Sequence, residues 1–267
     1  MTHSLTLLNG TVASSDDLAP LAFAGFAHFT AMQIHDRSIR GLDLHLQRLR
    51  DASDAMFGRH LPDAQIVDYL RVALNAAPED ASLAFFITSS PGEFVAPRAE
   101  VQLDVVTRIT DSATVPLGPL ALDVVAHQRD LPHVKHVGEV AKTLLLRRAV
   151  TRGFDDAAFE DSEGRLSEAT IWNLAFWDGR SVIWPEANIL TGVTMQILQR
   201  QLSALGVDQK TQPIRRNESL GQLAGVVMNS WTPGIAIARI GDHRLIADAD
   251  FTGLLHSAYQ HEHLVSV

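Results

Sequence analysis

Glu168-Ala169-Thr170-Ile171-Trp172-Asn173-Leu174 is the stretch on which the fold of this chain turns. It runs from a carboxylate through Asn173 into the apolar residues 174–177; residues 173–177 read as a strand, and residues 181–184 read as its antiparallel partner. Asp178-Gly179 lies between them, a dipeptide that supplies the positive φ angles of a tight reversal. Upstream, residues 156–159 read as a strand followed by a turn at Ser162-Glu163-Gly164. Before that, residues 137–151 read as a helix with Val140, Ala141, Leu144, Leu145 and Ala149 on helical offsets, closed by Gly153. Downstream, residues 192–205 read as a helix ending at Gly206, with Val193, Ile197, Leu198 and Leu202 facing inward. Strands at 225–229 and 235–240 and a short C-terminal helix follow.

The first half reads as separate from this. Residues 41–56 place Leu42, Leu46, Leu49, Ala52 and Met56 at helical spacing, and residues 64–76 do the same with Ile66, Leu70 and Leu74. Residues 81–88, 101–109 and 120–126 are short β-rich runs, the first two expected to be neighbours across a connection that includes Ser-Ser-Pro-Gly at 89–92. Between Asp111 and Gly118 periodicity is lost around Ser112, Thr114 and Pro116. Two domains are therefore expected: a smaller α/β domain over 1–112, a linker over 113–118, and a larger α+β domain over 119–267. No segment recurs at a fixed period, so solenoids and propellers are not expected.

With 267 residues there is chain enough for two modest domains and a substantial core. A formal charge of −9, with no long basic run, argues against nucleic acid or an anionic membrane as partner. Zero cysteines exclude disulfides, thiolate metal sites and a cysteine nucleophile together, and fit a cytoplasmic protein. No apolar stretch reaches the roughly 18 residues that span a bilayer, and Asp16 and Asp17 replace the basic start of a leader, so a soluble chain is expected.

Three chemical elements stand in order along the second half. Lysine can form an imine with an aldehyde, a carboxylate can keep a ring nitrogen protonated, and a glycine turn opening a helix can hold a phosphate. Lys135 lies 33 residues before Glu168 and 18 before Gly153, and Leu190-Thr191-Gly192-Val193-Thr194 follows. With Asp161-Ser162-Glu163-Gly164-Arg165-Leu166-Ser167-Glu168, Asn173, the late Met228-Asn229-Ser230 and an early His45-Leu46-Gln47-Arg48-Leu49, nearly the whole chain resembles the fold-type IV pyridoxal phosphate enzymes. That family contains branched-chain and D-amino acid aminotransferases, some amine transaminases and aminodeoxychorismate lyase.

The resemblance implies a two-domain fold like that of D-amino acid aminotransferase, with pyridoxal 5′-phosphate in the interdomain cleft, and a homodimer. It implies transfer of an amino group from an amino acid or amine to a 2-oxo acid; the alternatives are an aminodeoxychorismate lyase-type elimination, or a catalytically degenerate member. Lys135 would be the Schiff-base lysine and proton carrier, with Lys142 as the competing lysine, only 11 residues before Gly153. Glu168 would face the ring nitrogen, with Asn173 nearby. Gly192, Val193 and Thr194 would cradle the phosphate together with Arg48, Ser230 and Trp231. His28, Phe29, Thr30, Trp172 and Thr232 are the expected substrate-pocket residues, Thr232 doubling as a substitute hydroxyl. The chain departs from the family pattern at Thr30 (commonly glutamate), Val140 (tyrosine in branched-chain members), Ala169 (glycine), Met195 (often arginine) and Trp231 (threonine). No metal is expected: neither His133, His136 and Glu139 nor His256, His261 and His263 have a recognised metal-site spacing.

Overall fold

The computed structural model describes residues 4–90, 101–216 and 220–267. The chain divides into two compact units: Met1–Thr114 with Val134–Gly138 and His263–Val267, and Val115–His133 with Glu139–Glu262. The first cut falls inside the 113–118 stretch, but the units are not two consecutive runs of chain. The segment carrying Lys135 and the last residues go with the first unit, where the sequence placed both in the second.

In the first unit β1 (Ser4–Leu8), β2 (Thr11–Val12), β3 (Ala27–Ile34) and β4 (Ile39–Arg40) precede α1 (Leu42–Phe57) and α2 (Asp63–Ala76). β5 (Ala81–Ser90) and β6 (Gln102–Thr110) follow. The sheet has the order β2-β1-β6-β5-β3 and every pairing in it is antiparallel. β5 and β6 are neighbours, from Ser82 opposite Thr110 to Ser90 opposite Gln102; Pro91 and Gly92 lie outside the described residues. α1 ends as its sequence dictates, with Gly58 at φ 70° and its N–H bonded to the Asp54 carbonyl. Met32, Ile34, Leu49, Ile66, Leu70, Leu83, Phe85 and Ile109 form one apolar core. At the open edge of β3, the Phe29 N–H donates to the Lys135 carbonyl at 2.8 Å and the Val137 N–H to the Ala27 carbonyl at 3.0 Å. These bonds hold residues 135–137 extended, so the helix expected from 137 begins only at Val140.

The second unit contains β7 (Leu120–Ala126), α3 (Val140–Thr151), β8 (Asp156–Glu160), β9 (Leu166–Ala169), β10 (Asn173–Trp177), β11 (Val182–Pro185) and α4 (Val193–Ala204). After these come β12 (Gln209–Gln212), β13 (Ala224–Asn229), β14 (Thr232–Ile240), β15 (His243–Arg244) and α5 (Ala249–Gln260). β10, β13, β14, β7, β8 and β9 follow one another round a ring, which closes where Asn173 of β10 pairs with Glu168 of β9. β7 runs parallel to both β8 and β14, while the other pairings of the ring are antiparallel. One edge of β10 therefore changes partner: Asn173 pairs with β9, and Phe176 and Trp177 pair with β11. Leu122, Ala158, Leu166, Leu174, Phe176, Val227 and Ile237 pack as one core, and Trp184, Leu198, Leu202, Val226, Met228, Phe251 and Leu255 as a second that includes α4 and α5.

Two local expectations need correction. The β10–β11 reversal is not a two-residue turn: Trp177 pairs with Val182, leaving four residues, and of Asp178 and Gly179 only Gly179 has a positive φ. Asp178 serves as an acceptor instead, its Oδ1 bonded to the N–H groups of Arg180 and Ser181. In α3 only Ala149 is buried, and Val140 and Leu144 are 84% and 48% exposed. The apolar spacing therefore does not mark one covered face: Leu145 and Ala149 pack with Val125, Ala157 and Phe159, while Val140 and Leu144 of the same stripe stay exposed.

Candidate active site

Closure of the ring places Glu168, 4% exposed, across from Asn173, 7% exposed. Asn173 then ties β10 to the turn before α4. Its Nδ2 donates to the Leu190 carbonyl at 2.7 Å, and its Oδ1 accepts from the Gly192 N–H at 3.0 Å. A Cβ on Gly192 would lie 2.2 Å from that same oxygen, so glycine is required by close approach and not by backbone angle, φ being −61°. This corrects the expected phosphate cradle, because the Gly192 N–H is already spent on Asn173. The first helical bond of α4 is Gln196 N–H to the Gly192 carbonyl, which leaves the N–H groups of Val193, Thr194 and Met195 without acceptors in the helix. Those donors and the positive end of a 12-residue helix favour an anion. The Thr194 hydroxyl donates to the Asn229 carbonyl at 2.9 Å, joining this helix start to the end of β13.

Ser230 and Trp231 form the turn that follows. The Trp231 N–H is bonded to the Asn229 side chain at 2.8 Å, and its ring, 38% exposed, meets Trp172 edge-on with centroids 5.6 Å apart. Trp172 itself is core, with Nε1 donating to Asp156 at 2.9 Å. Thr232 is buried and its hydroxyl accepts from the Gly234 N–H at 3.3 Å, which removes it as a free hydroxyl. Asp156, which sequence reasoning passed over as part of a strand, also accepts from the Thr170 hydroxyl at 2.7 Å. Burial raises its pKa against the pull of these bonds. A second acid, after Asp155, at the head of the apolar run Ala157-Ala158-Phe159 was the signal available for it.

A second group gathers behind Glu168. Arg129 Nε lies 2.6 Å from Glu139 Oε1 and 3.6 Å from Glu168 Oε1, and Lys142 Nζ lies 3.9 Å from Glu139. Burial lowers the Lys142 pKa, and the charges of Glu168, Glu139 and Asp156 oppose that fall. Sequence reasoning missed Arg129, and weighed Glu139 only as a metal ligand.

In the first unit, Lys135 Nζ stands 4.7 Å from the centre of the Phe29 ring, which stacks on Phe86 at 5.1 Å. Arg48 lies partly buried on α1, where its charge helps depress the pKa of His45. Alternation along β3 sends Phe29 and Ala31 to one face and His28 and Thr30 to the other. His28 and Thr30, expected in a substrate pocket, are instead wholly buried against α1. His28 Nε2 is 2.8 Å from Ser53 Oγ, and Thr30 Oγ1 is 2.6 Å from His45 Nδ1.

Residues 27–240 match the family model for amino-transferase class IV. The chain belongs to the class IV aminotransferases. Solved structures similar to this aminotransferase include the branched-chain aminotransferase of Thermoproteus uzoniensis with norvaline, at 18% identity and TM-score 0.81 over 97% of this chain and 94% of that one. The branched-chain aminotransferase of Escherichia coli aligns at 18% identity and TM-score 0.82 over 96% and 93%. A PLP-bound hypothetical aminotransferase of Mycobacterium tuberculosis aligns at 17% and 0.79 over 96% and 99%. A comparison with curated proteins gives no match. The fold is thus that of the fold-type IV aminotransferases, and the chemistry of the family is transamination dependent on pyridoxal 5′-phosphate between an amino donor and a 2-oxo acid. No helix among the described residues is long and apolar enough to cross a membrane.

Proposed function

We propose that Lys135 is the residue that holds pyridoxal 5′-phosphate covalently and moves the α-proton of the amino donor. Glu168 is proposed to meet the ring nitrogen, and the first turn of α4, with Arg48, to meet the phosphate. The coenzyme, when bound, supplies a cationic conjugated ring that draws electrons from the substrate Cα. The observation that carries this assignment is the Asn173 staple. One side chain sits opposite the buried Glu168 and shapes the turn from which Val193 and Thr194 present their N–H groups.

The residues fit the group. A buried carboxylate suits a protonated ring nitrogen, and the helix start suits a phosphate dianion. With Met195 in place of the family's frequent arginine, Arg48 would be the main cation for that phosphate. Phe29 lies against the Lys135 amine and lowers its exposure to water. Ser230 and Trp231 border the Thr194 end of the turn, where Trp231 offers an apolar wall and no hydroxyl. Branched-chain amino acids and the straight-chain norvaline are the donors to test first against 2-oxoglutarate and pyruvate, since a similar structure, that of a branched-chain aminotransferase, was determined with norvaline. By family resemblance the working form is a homodimer.

Soaking the protein with the coenzyme should give a visible band at roughly 410–430 nm, and borohydride should bleach it and leave the label on the Lys135 peptide. A colourless protein, or a label on Lys142, overturns the assignment.

A further inference from the structure

Arg129 is the most enclosed guanidinium near the site. Its side chain is 2% exposed, and it belongs to the loop that leads from β7 towards Lys135. Three groups converge on it. Its Nε donates to Glu139 at the start of α3 at 2.6 Å, its Nη1 donates to the Pro132 carbonyl at 2.7 Å, and its Nε stands 3.6 Å from the Glu168 carboxylate. An arginine is suited to this because its fork is planar and keeps its charge when buried.

Lys142 adds a second cation facing the same acids from α3, Asp156 adds a buried acid from β8, and His127 closes the group from the end of β7, its ring against Phe159. Burial alone would drive Glu168 to its neutral form, whereas a cation within about 4–6 Å favours the anion by roughly 1–3 pH units. A neutral acid opposite a ring nitrogen would donate a proton's hydrogen bond instead of accepting one, and the ring would lose its cationic form.

We propose that Arg129 is a positioning residue that holds Glu168 ionised and aimed, while its bonds to Glu139 and Pro132 fix the loop approaching Lys135. The catalytic consequence rests on the assignment of Glu168 to the ring nitrogen; the ionisation of Glu168 does not.

The test separates the two. In coenzyme-free protein labelled at glutamate carboxyl carbons, with Glu168→Gln identifying the resonance, Arg129→Met should raise the titration midpoint of Glu168 by about 1–3 pH units. Arg129→Lys keeps the charge but not the fork and should raise it by less. In the loaded enzyme the acidic limb of the kcat profile should move up by the same amount. In a Glu168→Gln background, Arg129→Met should cost less than about threefold further in kcat, because the two residues act as a unit. An unchanged Glu168 midpoint overturns the proposal even if the variant is less stable. If Arg129→Met does not fold, the midpoint in Arg129→Lys decides. Protein that never takes up the coenzyme sinks the assignment of Glu168 to the ring and leaves the titration to judge Arg129.

Discussion

At the scale of single residues the site depends on close approach more than on charge. Gly192 has an ordinary φ, so its replacement fails for one reason: a methyl group would lie 2.2 Å from the Asn173 oxygen that holds the turn. Gly192→Ala should therefore leave most of the fold standing and weaken coenzyme binding by roughly 10- to 100-fold, about 1.4–2.7 kcal/mol, read by titrating the visible band. Wild-type affinity in that variant would show that the turn does not shape the cradle. Asn173→Ala removes the partner of the Leu190 carbonyl and the Gly192 N–H together. A loss of about 2–6 kcal/mol in urea unfolding is expected, at about 1–3 kcal/mol for each of the two buried groups left unmatched. The sequence showed that these residues belong together by their order; which atom of Asn173 meets which backbone group came only from the fold.

Elements show the same division. Helix ends were legible because their signals are local: Gly153 and Gly206, read as the ends of their helices, adopt positive φ where the chain leaves them. Asp248 caps α5 by accepting from the Phe251 N–H at 2.8 Å. Asp248→Ala should cost about 1 kcal/mol in chemical denaturation, and a change under about 0.3 kcal/mol would show the cap to be idle. Helix α3 resisted this kind of reading twice. Its first turn was claimed by β3, and its apolar stripe is covered only in part, Leu145 and Ala149 packing inward while Val140 and Leu144 stay exposed, because spacing reports which residues share a face and carries no information on what lies opposite. Strand β10 likewise read as half of a hairpin, yet it is the strand that closes the ring, since pairing with β9 and β13 involves residues distant along the chain.

At the scale of the molecule, acidity acts on the first unit through two histidines that face its core. Burial holds His28 down to about 4 and His45 to about 3, against an ordinary value near 6.5, and His28 Nδ1 meets no hydrogen-bond partner among the described residues. Both are neutral when folded, so below about pH 6.5 the unfolded chain binds protons that the folded unit refuses, and stability falls with pH until the folded values are reached. His28 alone contributes on the order of 3 kcal/mol to that slope between pH 6.5 and 4. His28→Asn should flatten urea midpoints measured between pH 7 and 4.5, and an undiminished slope would remove His28 as the cause. The sequence by itself determined the family, the order of helices and strands, and the residue types able to bind a phosphorylated aldehyde, because periodicity, turn residues and motif gaps are written locally. Tertiary structure alone decided that the Lys135 segment is an edge of the first sheet, that His28 and Thr30 face a helix, and that Arg129 reaches Glu168. Each of these follows from contacts between residues far apart in the chain, and a shift of one residue in the register of β3 would send His28 and Thr30 to the opposite face.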